Sequence, residues 1–283
     1  MPLEDPRSVL RRHGLRPKRS WGQNFLINLA LAERIASTVA EAGVDKVIEI
    51  GAGVGTLTAA LAERLPAVVA IERDPELAAL LRDEQSRLGP HVEVVEADAS
   101  TFDYAGAAGS GRVALVGNLP YNLTGRLLRR AIEARGAVEL ALVMVQLEVA
   151  DRLVAAPGSS SYGVLSVMCQ AWMAPTVLWR VSPGSFFPKP KVASAVVRLD
   201  PLGEPRVGDL SEERFSEVVH AAFASRRKTL RNTLGARYGK ERAVAALAAE
   251  AIDPSRRAET LSVEELAAVT RQLGVSDRSV QPR

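Results

Sequence analysis

The sequence predicts an α/β fold: a parallel sheet covered by helices on both faces, followed by a small all-helical domain. Three observations carry this. From about residue 44, short continuous apolar runs alternate with amphipathic segments, as a sheet buried on both faces requires. Two late strand-like runs are joined by a proline-rich connection, which suits a hairpin at a sheet edge. Beyond residue 201 the strand-like runs stop.

The elements follow in order. VIEI (47–50) leads into TLTAALAERL, where Leu57, Leu61 and Leu65 recur at helical spacing and turn one face to the sheet. AVVAIE (67–72) leads into PELAALLRDE, and VEVVEA (92–97), VALV (113–116) and LALVMVQ (140–146) supply three more strands. WMAPTVLWRV (172–181) and SAVVRL (194–199) flank SPGSFFPKPKV, whose prolines fix the connection. PLGEPRVGDLS (201–211) has the composition of a linker. After it, EERFSEVVHAAFASRRKTLRNTL and SVEELAAVTRQL read as helices, and Ser262 with Glu265 fits a capping box. The expected division is a sheet domain with a basic N-terminal segment, residues 1–201, and a helical domain, residues 202–283.

Composition narrows the function. With 47% hydrophobic and 24% charged residues the chain can build an ordinary globular core. No stretch approaches the roughly 20 apolar residues of a membrane span, and the charged start MPLEDPRSVLRRHG does not resemble a secretory signal. Cys169 is the sole cysteine, and His13, His91 and His220 are scattered, so no metal site is expected. A cytoplasmic protein with no membrane partner is the expectation. The net charge is only +3, but Arg7, Arg11, Arg12, Arg16, Lys18 and Arg19 form one basic cluster, and Arg226, Arg227, Lys228, Arg231, Arg237 and Lys240 another. Segregated positive charge suits a polyanion, or else two solvated faces. Trp21, Trp172 and Trp179 are expected in the core.

The strand ends hold the candidate site. EIGAGVGT (49–56) is a glycine turn, with Gly51 and Gly53 letting the backbone approach a ligand. Thr56 stands where a dinucleotide fingerprint needs its last glycine, which disfavours NAD. Glu72 ends the second strand, where an acid can accept from ribose hydroxyls, and Asp98 follows the third, where it can accept from an adenine amine. No Walker-type lysine follows the loop, so a triphosphate is disfavoured. An adenosine bearing an amino-acid tail and a sulfonium, S-adenosyl-L-methionine, fits best.

The fourth strand runs into GNLPYN (117–122). An exocyclic purine amine is a poor nucleophile because its lone pair is delocalised. The side-chain oxygen of Asn118 and the carbonyl of Leu119 can accept its two hydrogens and aim the lone pair. Pro120 fixes the turn, and Tyr121 offers a flat face on which a base can stack.

NLPY looks like the (Asn/Asp/Ser)-x-Pro-aromatic motif of amino-directed nucleic-acid methyltransferases. Together with GQNFLIN (22–28), EIGAGVGTLT (49–58), SYGVLSVM (161–168), FFPKPKVASAVVRL (186–199) and RRKTLRN (226–232), the chain resembles the KsgA-type small-subunit rRNA adenine dimethyltransferases from about residue 18 to about 270. The resemblance implies a Rossmann-like S-adenosylmethionine-dependent methyltransferase sheet and a helical RNA-binding domain. It implies cofactor contacts at Asn24, Leu26, Gly51, Glu72, Asp98 and Asn118, and S-adenosyl-L-homocysteine as product. It also implies a target adenine against Tyr121, with Phe186 as a second aromatic wall. The family dimethylates N6 of two adjacent adenines in a hairpin near the 3′ end of 16S rRNA, so the implied partner is 16S rRNA within a 30S precursor, met by a monomer. Arg16, Lys18 and Arg19 beside the site, and Arg226, Arg227, Lys228 and Arg231 farther away, would then contact RNA. Ala52, Thr124-Gly125 and Ala193 depart from the family pattern, and Gly125 puts the start of the following helix in question.

Two alternatives stay open at this level. One is the 23S rRNA adenine methyltransferase of macrolide resistance, against which RRKTLRN speaks. The other is a non-catalytic nucleic-acid-binding relative of the mitochondrial transcription factor type, against which intact Asn118, Pro120 and Tyr121 speak.

Overall fold

The structure, a computed structural model, describes residues 4–18, 21–121 and 123–275. Its strands are β1 (Phe25–Leu26), β2 (Lys46–Ile50), β3 (Val68–Glu72), β4 (Val92–Glu96), β5 (Val113–Asn118), β6 (Leu140–Gln146), β7 (Met173–Val181), β8 (Phe186–Phe187) and β9 (Ser194–Pro201). Its helices up to residue 150 are α1 (Pro6–Arg12), α2 (Leu29–Glu41), α3 (Thr56–Ala62), α4 (Pro75–Asp83), α5 (Gln85–Leu88), α6 (Tyr104–Ala108), α7 (Thr124–Glu133) and the start of α8 (Leu147–Leu153). Then come α9 (Val164–Gln170), α10 (Glu212–Ala222), α11 (Leu230–Tyr238), α12 (Lys240–Ala249) and α13 (Val263–Val275).

The main sheet has the order β4-β3-β2-β5-β6-β9-β7. Strands β2 to β6 pair in parallel, and β9 runs antiparallel to β6. The unbroken apolar runs have their reason here: all of β3 is buried, and Val47, Ile48 and Ile50 are at most 1% exposed. β7 and β9 are neighbours at one edge, where the sequence placed its hairpin. A separate two-stranded ribbon pairs β1 with β8, Phe25 opposite Phe187 and Leu26 opposite Phe186.

The topology creates the crevice. The chain steps outward from β2 through β3 to β4, then returns to the other side of β2 for β5. At such a reversal the loops beyond the carboxyl ends of the strands diverge and leave room for a ligand. Here those ends are Ile50 and Asn118. Gly117 lies opposite Ile50, and a Cβ there would sit 2.6 Å from the Ile50 carbonyl oxygen, so only glycine lets the strands approach so closely.

The chain divides into two compact units, one up to Ala150 with Pro175–Pro201, the other Asp151–Ala174 with the chain from Leu202 onward. The boundary expected at residue 201 therefore misses an earlier segment. Trp172, 2% exposed, meets Phe215 edge-on at 5.7 Å, and the Trp172 and Ala171 carbonyls accept from the amides of Leu202 and Arg206. The sequence around α9 carries no local signal of which later segment it will pack against. The last helix starts as expected: Ser262 Oγ accepts from the Glu265 amide at 3.1 Å, and Glu265 Oε2 accepts from the Ser262 amide at 2.8 Å.

Candidate active site

A cavity in the sheet unit is lined by Trp21, Asn24, Phe25 and Leu26 before the sheet, by Glu49, Gly51 and Gly53 after β2, and by Glu72, Arg73, Asp98, Asn118, Leu119, Pro120 and Tyr121 at the following strand ends. The sequence-predicted cofactor residues Asn24, Leu26, Gly51, Gly53, Glu72, Asp98 and Asn118 thus all line one space, as do Leu119, Pro120 and Tyr121.

The glycine turn has positive φ at Gly51 (74°) and Gly53 (60°), the left-handed region that glycine enters without strain. A Cβ on Gly53 would meet the Phe25 ring at 3.1 Å, whereas one on Gly51 would meet nothing nearer than the Asn118 carbonyl oxygen at 4.0 Å. Glu72, 8% exposed, shapes the turn from below: its two oxygens accept from the amides of Gly53 and Asp74, each at 2.8 Å. Burial raises its pKa, and the hydrogen bonds from Asp74, Gly53 and Arg73 oppose the rise. Asp98 is more open: Oδ1 accepts from the Ser100 amide at 2.8 Å, and Oδ2 lies 3.7 Å from Arg73. Burial works against its charge but is outweighed by Ser100, Arg73 and Arg126, so its pKa is lowered.

The end of β5 is held from three sides. The Asn118 side-chain nitrogen donates to the Asn24 carbonyl at 2.8 Å, which leaves its side-chain oxygen as the acceptor available to a ligand. The Leu119 amide donates to the Met144 carbonyl at 3.0 Å, and the Leu119 side chain is 1% exposed, which fixes the backbone carbonyl between them. The Pro120 carbonyl accepts from the Leu123 amide at 2.9 Å and from the Thr124 hydroxyl at 3.0 Å. Those bonds start α7 without a side-chain cap at Leu123, and Gly125 faces open space. Thr124 thus organises the helix start that Gly125 left in question. The Tyr121 hydroxyl shares a 2.8 Å hydrogen bond with Ser194 Oγ, which anchors the ring from its far end. Asn122 lies outside the described residues.

Other expectations are corrected. Phe186 does not line the cavity: it is 2% exposed and packs in the core with Leu26 and Val196, because it stands on the Leu26 side of the β1–β8 ribbon. The exposed aromatic of that ribbon is Phe187. Lys18 is not available to a phosphate. Its ammonium donates to Asp74 at 2.8 Å and pairs with Glu76, while Gln23 accepts from the Lys18 amide and donates to Asp74. Asp74 also caps α4, so this clasp fastens the N-terminal segment beside the cavity. Arg7 and Arg12 of the same cluster pair with Asp5 and with Glu4 and Glu84. Arg16 is exposed, and Arg19 lies outside the described residues. In the second unit Arg227, Lys228 and Arg231 are exposed, whereas Arg226 binds the Ser160 carbonyl at 2.6 Å and Glu259 at 3.3 Å.

Trp21 and Glu49 are among the lining residues that the sequence did not single out for the site. Trp21, expected in the core, stands at the cavity with the Arg73 guanidinium 4.5 Å and the Lys18 ammonium 5.4 Å from its ring centre. Trp172 is buried as expected, and Trp179 is half-buried under Arg34 at 4.1 Å. Glu49 is 2% exposed, accepts from the Thr58 hydroxyl at 2.6 Å, and has its pKa pushed up to about 7 by burial, with the Glu72 charge adding and Thr58 opposing. An acid before a glycine turn is the signal that could have found it. Among the described residues no cluster of His, Cys, Asp and Glu could hold a metal ion, and no helix is long and apolar enough to cross a membrane.

Comparison with known proteins gives this geometry a family. The chain is 45% identical over 283 aligned positions to ribosomal RNA small subunit methyltransferase A of Myxococcus xanthus, covering 96% of each chain. It is equally similar, 45% over 282 positions, to the protein of that name from Anaeromyxobacter sp. strain K, covering 95% of this chain and 98% of the relative. Among solved structures, the 23S rRNA methyltransferase ErmE superposes with a TM-score of 0.65 at 30% identity, covering 89% of this chain and all of that one. A dimethyladenosine transferase from Plasmodium falciparum superposes at 0.74 with 22% identity over 87% and 95% of the two chains, a likeness of fold. The family model described as Ribosomal RNA adenine dimethylase matches residues 14–273, which span the cavity, the NLPY turn and the helices after residue 202 alike, and the chain belongs to that family of methyltransferases.

Proposed function

We propose that the protein transfers methyl groups from S-adenosyl-L-methionine to N6 of two adjacent adenines near the 3′ end of 16S rRNA, acting as a monomer on a small-subunit (30S) precursor. The acceptor set fits the cofactor: Glu49 and Glu72 are buried carboxylates suited to its ammonium and ribose hydroxyls, Asp98 to its adenine amine, and the space before Gly51 to a closely approaching chain. When bound, S-adenosylmethionine supplies a methyl carbon made electrophilic by a sulfonium, with S-adenosyl-L-homocysteine as product.

The chain's own residues act on the other reactant. The Asn118 side-chain oxygen and the Leu119 carbonyl accept the two N6 hydrogens and direct the nitrogen lone pair into the cavity. Tyr121 stacks on the base, and the proton released after transfer passes to water. Fixed dipoles and orientation supply the catalysis, so no strong base is required. The observation that carries this reading is the Asn118 amide, whose nitrogen is committed to Asn24 and whose oxygen is therefore presented as an acceptor. Exposed Arg16, Arg227, Lys228 and Arg231 would add salt-sensitive contacts to the RNA backbone.

The test is mass spectrometry of rRNA from unmethylated 30S particles and from 23S rRNA, each incubated with protein and cofactor. Dimethyladenosine in the small-subunit RNA alone is the expected result. Modification of 23S rRNA alone would replace the substrate, and no transfer to either would leave a binding protein.

A further inference from the structure

The correction at Phe186 leaves an unassigned feature beside the site. Phe187 is 36% exposed, one of three large hydrophobic side chains so exposed among the described residues. A lone exposed apolar side chain is ordinary on a protein surface, but Phe187 is not lone in its chemistry. The segment after it reads Pro188-Lys189-Pro190-Lys191-Val192, with Pro190 buried and Lys189, Lys191 and Val192 exposed. Neither lysine has a carboxylate partner among the described residues. The segment thus presents one aromatic face and two uncommitted ammonium groups to solvent, on a backbone stiffened by two prolines.

Its position relates it to the site. At one end Phe187 pairs with Phe25, which lines the cavity next to Asn24. Directly opposed residues of an antiparallel pair share a face of the ribbon, so Phe187 stands on the Phe25 side and Phe186 on the core side. At the other end Ser194 pairs with Gln146 and holds the Tyr121 hydroxyl. The segment is therefore tethered at both ends to the elements that form the target-base site.

From this we infer that Phe187, Lys189 and Lys191 form a platform for the unpaired nucleotide next to the target adenine, with its base stacked on Phe187 and the adjoining phosphates met by the two lysines. Aromatic faces interleaved with cations are how proteins hold single-stranded RNA. The inference rests on the rRNA-methylating reading and names a feature of its substrate: one flanking base must be unstacked together with the target. Phe187 is here a positioning residue, since it holds the neighbour rather than the reacting base.

The experiment uses the full chain, unmethylated 30S particles and radiolabelled S-adenosylmethionine, with Phe187→Ala, Phe187→Trp and the Lys189→Ala/Lys191→Ala pair. Phe187→Ala should raise KM for the particles about 5- to 150-fold, the range of one base–aromatic stack, with the loss falling on KM more than on kcat. Cofactor affinity by calorimetry should stay within about twofold if the platform lies outside the cofactor site, and Phe187→Trp should restore KM. The lysine pair should make RNA affinity less dependent on salt, lowering the log–log slope by about 1.4, at about 0.7 for each single-strand phosphate contact. In an rRNA hairpin carrying 2-aminopurine beside the target adenine, wild type and Phe187→Trp should quench the fluorescence, and Phe187→Ala should not. An active wild type with an unchanged KM in Phe187→Ala would overturn the platform and leave the reaction standing. Lost cofactor affinity in that variant would also overturn it, showing Phe187 to be structural. A wild type that transfers no label would overturn the function itself, and the platform with it.

Discussion

Glu49 gives a prediction whose size can be worked from the structure. Its carboxyl lies 2% exposed behind the glycine turn, and its pKa is pushed up to about 7 from an ordinary 4.5, chiefly by burial. A difference of that size between folded and unfolded chains corresponds to about 3 kcal/mol. Because the folded value is the higher one, the folded chain binds the proton more tightly. The associated stability is fully present below about pH 4.5 and is lost as pH rises through about 7. Glu49→Gln keeps an acceptor for the Thr58 hydroxyl and removes the titration. Urea unfolding of both proteins from pH 4.5 to 8 should show wild type losing about 3 kcal/mol relative to the variant across that window, with the difference constant above it. Glu72, whose pKa is also raised, is present in both proteins. Removing the Glu49 charge eases its ionisation and so widens the difference. Parallel stability profiles would refute the argument, since they would mean that Glu49 ionises in the folded chain as it does in water. A cationic cofactor beside Glu49 favours its charged form, so wild-type affinity should also fall below about pH 7 while that of Glu49→Gln stays level.

The remaining predictions concern the turn, the ribose acid and the strand contact. Tyr121→Ala should lower kcat/KM about 5- to 150-fold through the lost stack while cofactor affinity by calorimetry stays close to wild type; unchanged turnover would contradict the stacking role. Tyr121→Phe, which loses only the bond to Ser194, should cost about 1 kcal/mol in the same assay. Glu72→Ala should weaken cofactor binding about 10- to 150-fold, the worth of a hydrogen bond to a charged group, and equal affinity would refute the ribose assignment. Gly117→Ala forces a methyl to within 2.6 Å of the Ile50 carbonyl oxygen, so thermal unfolding should show a loss of about 1–3 kcal/mol; an unshifted midpoint would mean that the strands part freely.

The legible parts of this protein were those written in local pattern. Strands β3, β5 and β6 announced themselves as apolar runs because they are buried on both faces, and the acids and the asparagine at the strand ends stood where the topology turns them into one crevice. The Ser262–Glu265 cap could be read because a capping box is contained within one helical turn. Phe186 and Phe187 show the limit of such reading. Adjacent residues on a strand face opposite ways, so a one-residue question of register decides which ring is core and which is surface. That register is set by pairing with Phe25 and Leu26, some 160 positions earlier.

Charge was harder to read for the same reason. Residues 7 to 19 contain no acid, yet Arg12 meets Glu84 at 2.6 Å and Lys18 meets Asp74 at 2.8 Å, because α1 and the segment after it lie along α4. Val9 and Leu10 hold them there by packing with Phe25, Val54, Leu77 and Leu80. Apolar packing therefore determines which cations are spent within the fold and which remain for a polyanion. Arg7, Arg12 and Lys18 are paired with carboxylates, whereas Arg16, Arg227, Lys228, Lys189 and Lys191 have no carboxylate partner among the described residues. A sequence window counts charges, but a charge can recruit a phosphate only if no carboxylate already occupies it, and burial rather than composition settles that. The N-terminal basic cluster is thus better understood as the fastening of a strap beside the cofactor cavity. The cations left to draw RNA are Arg16, the lysines of the Phe187–Val192 segment, and those of the turn before α11 with Arg231 at its start.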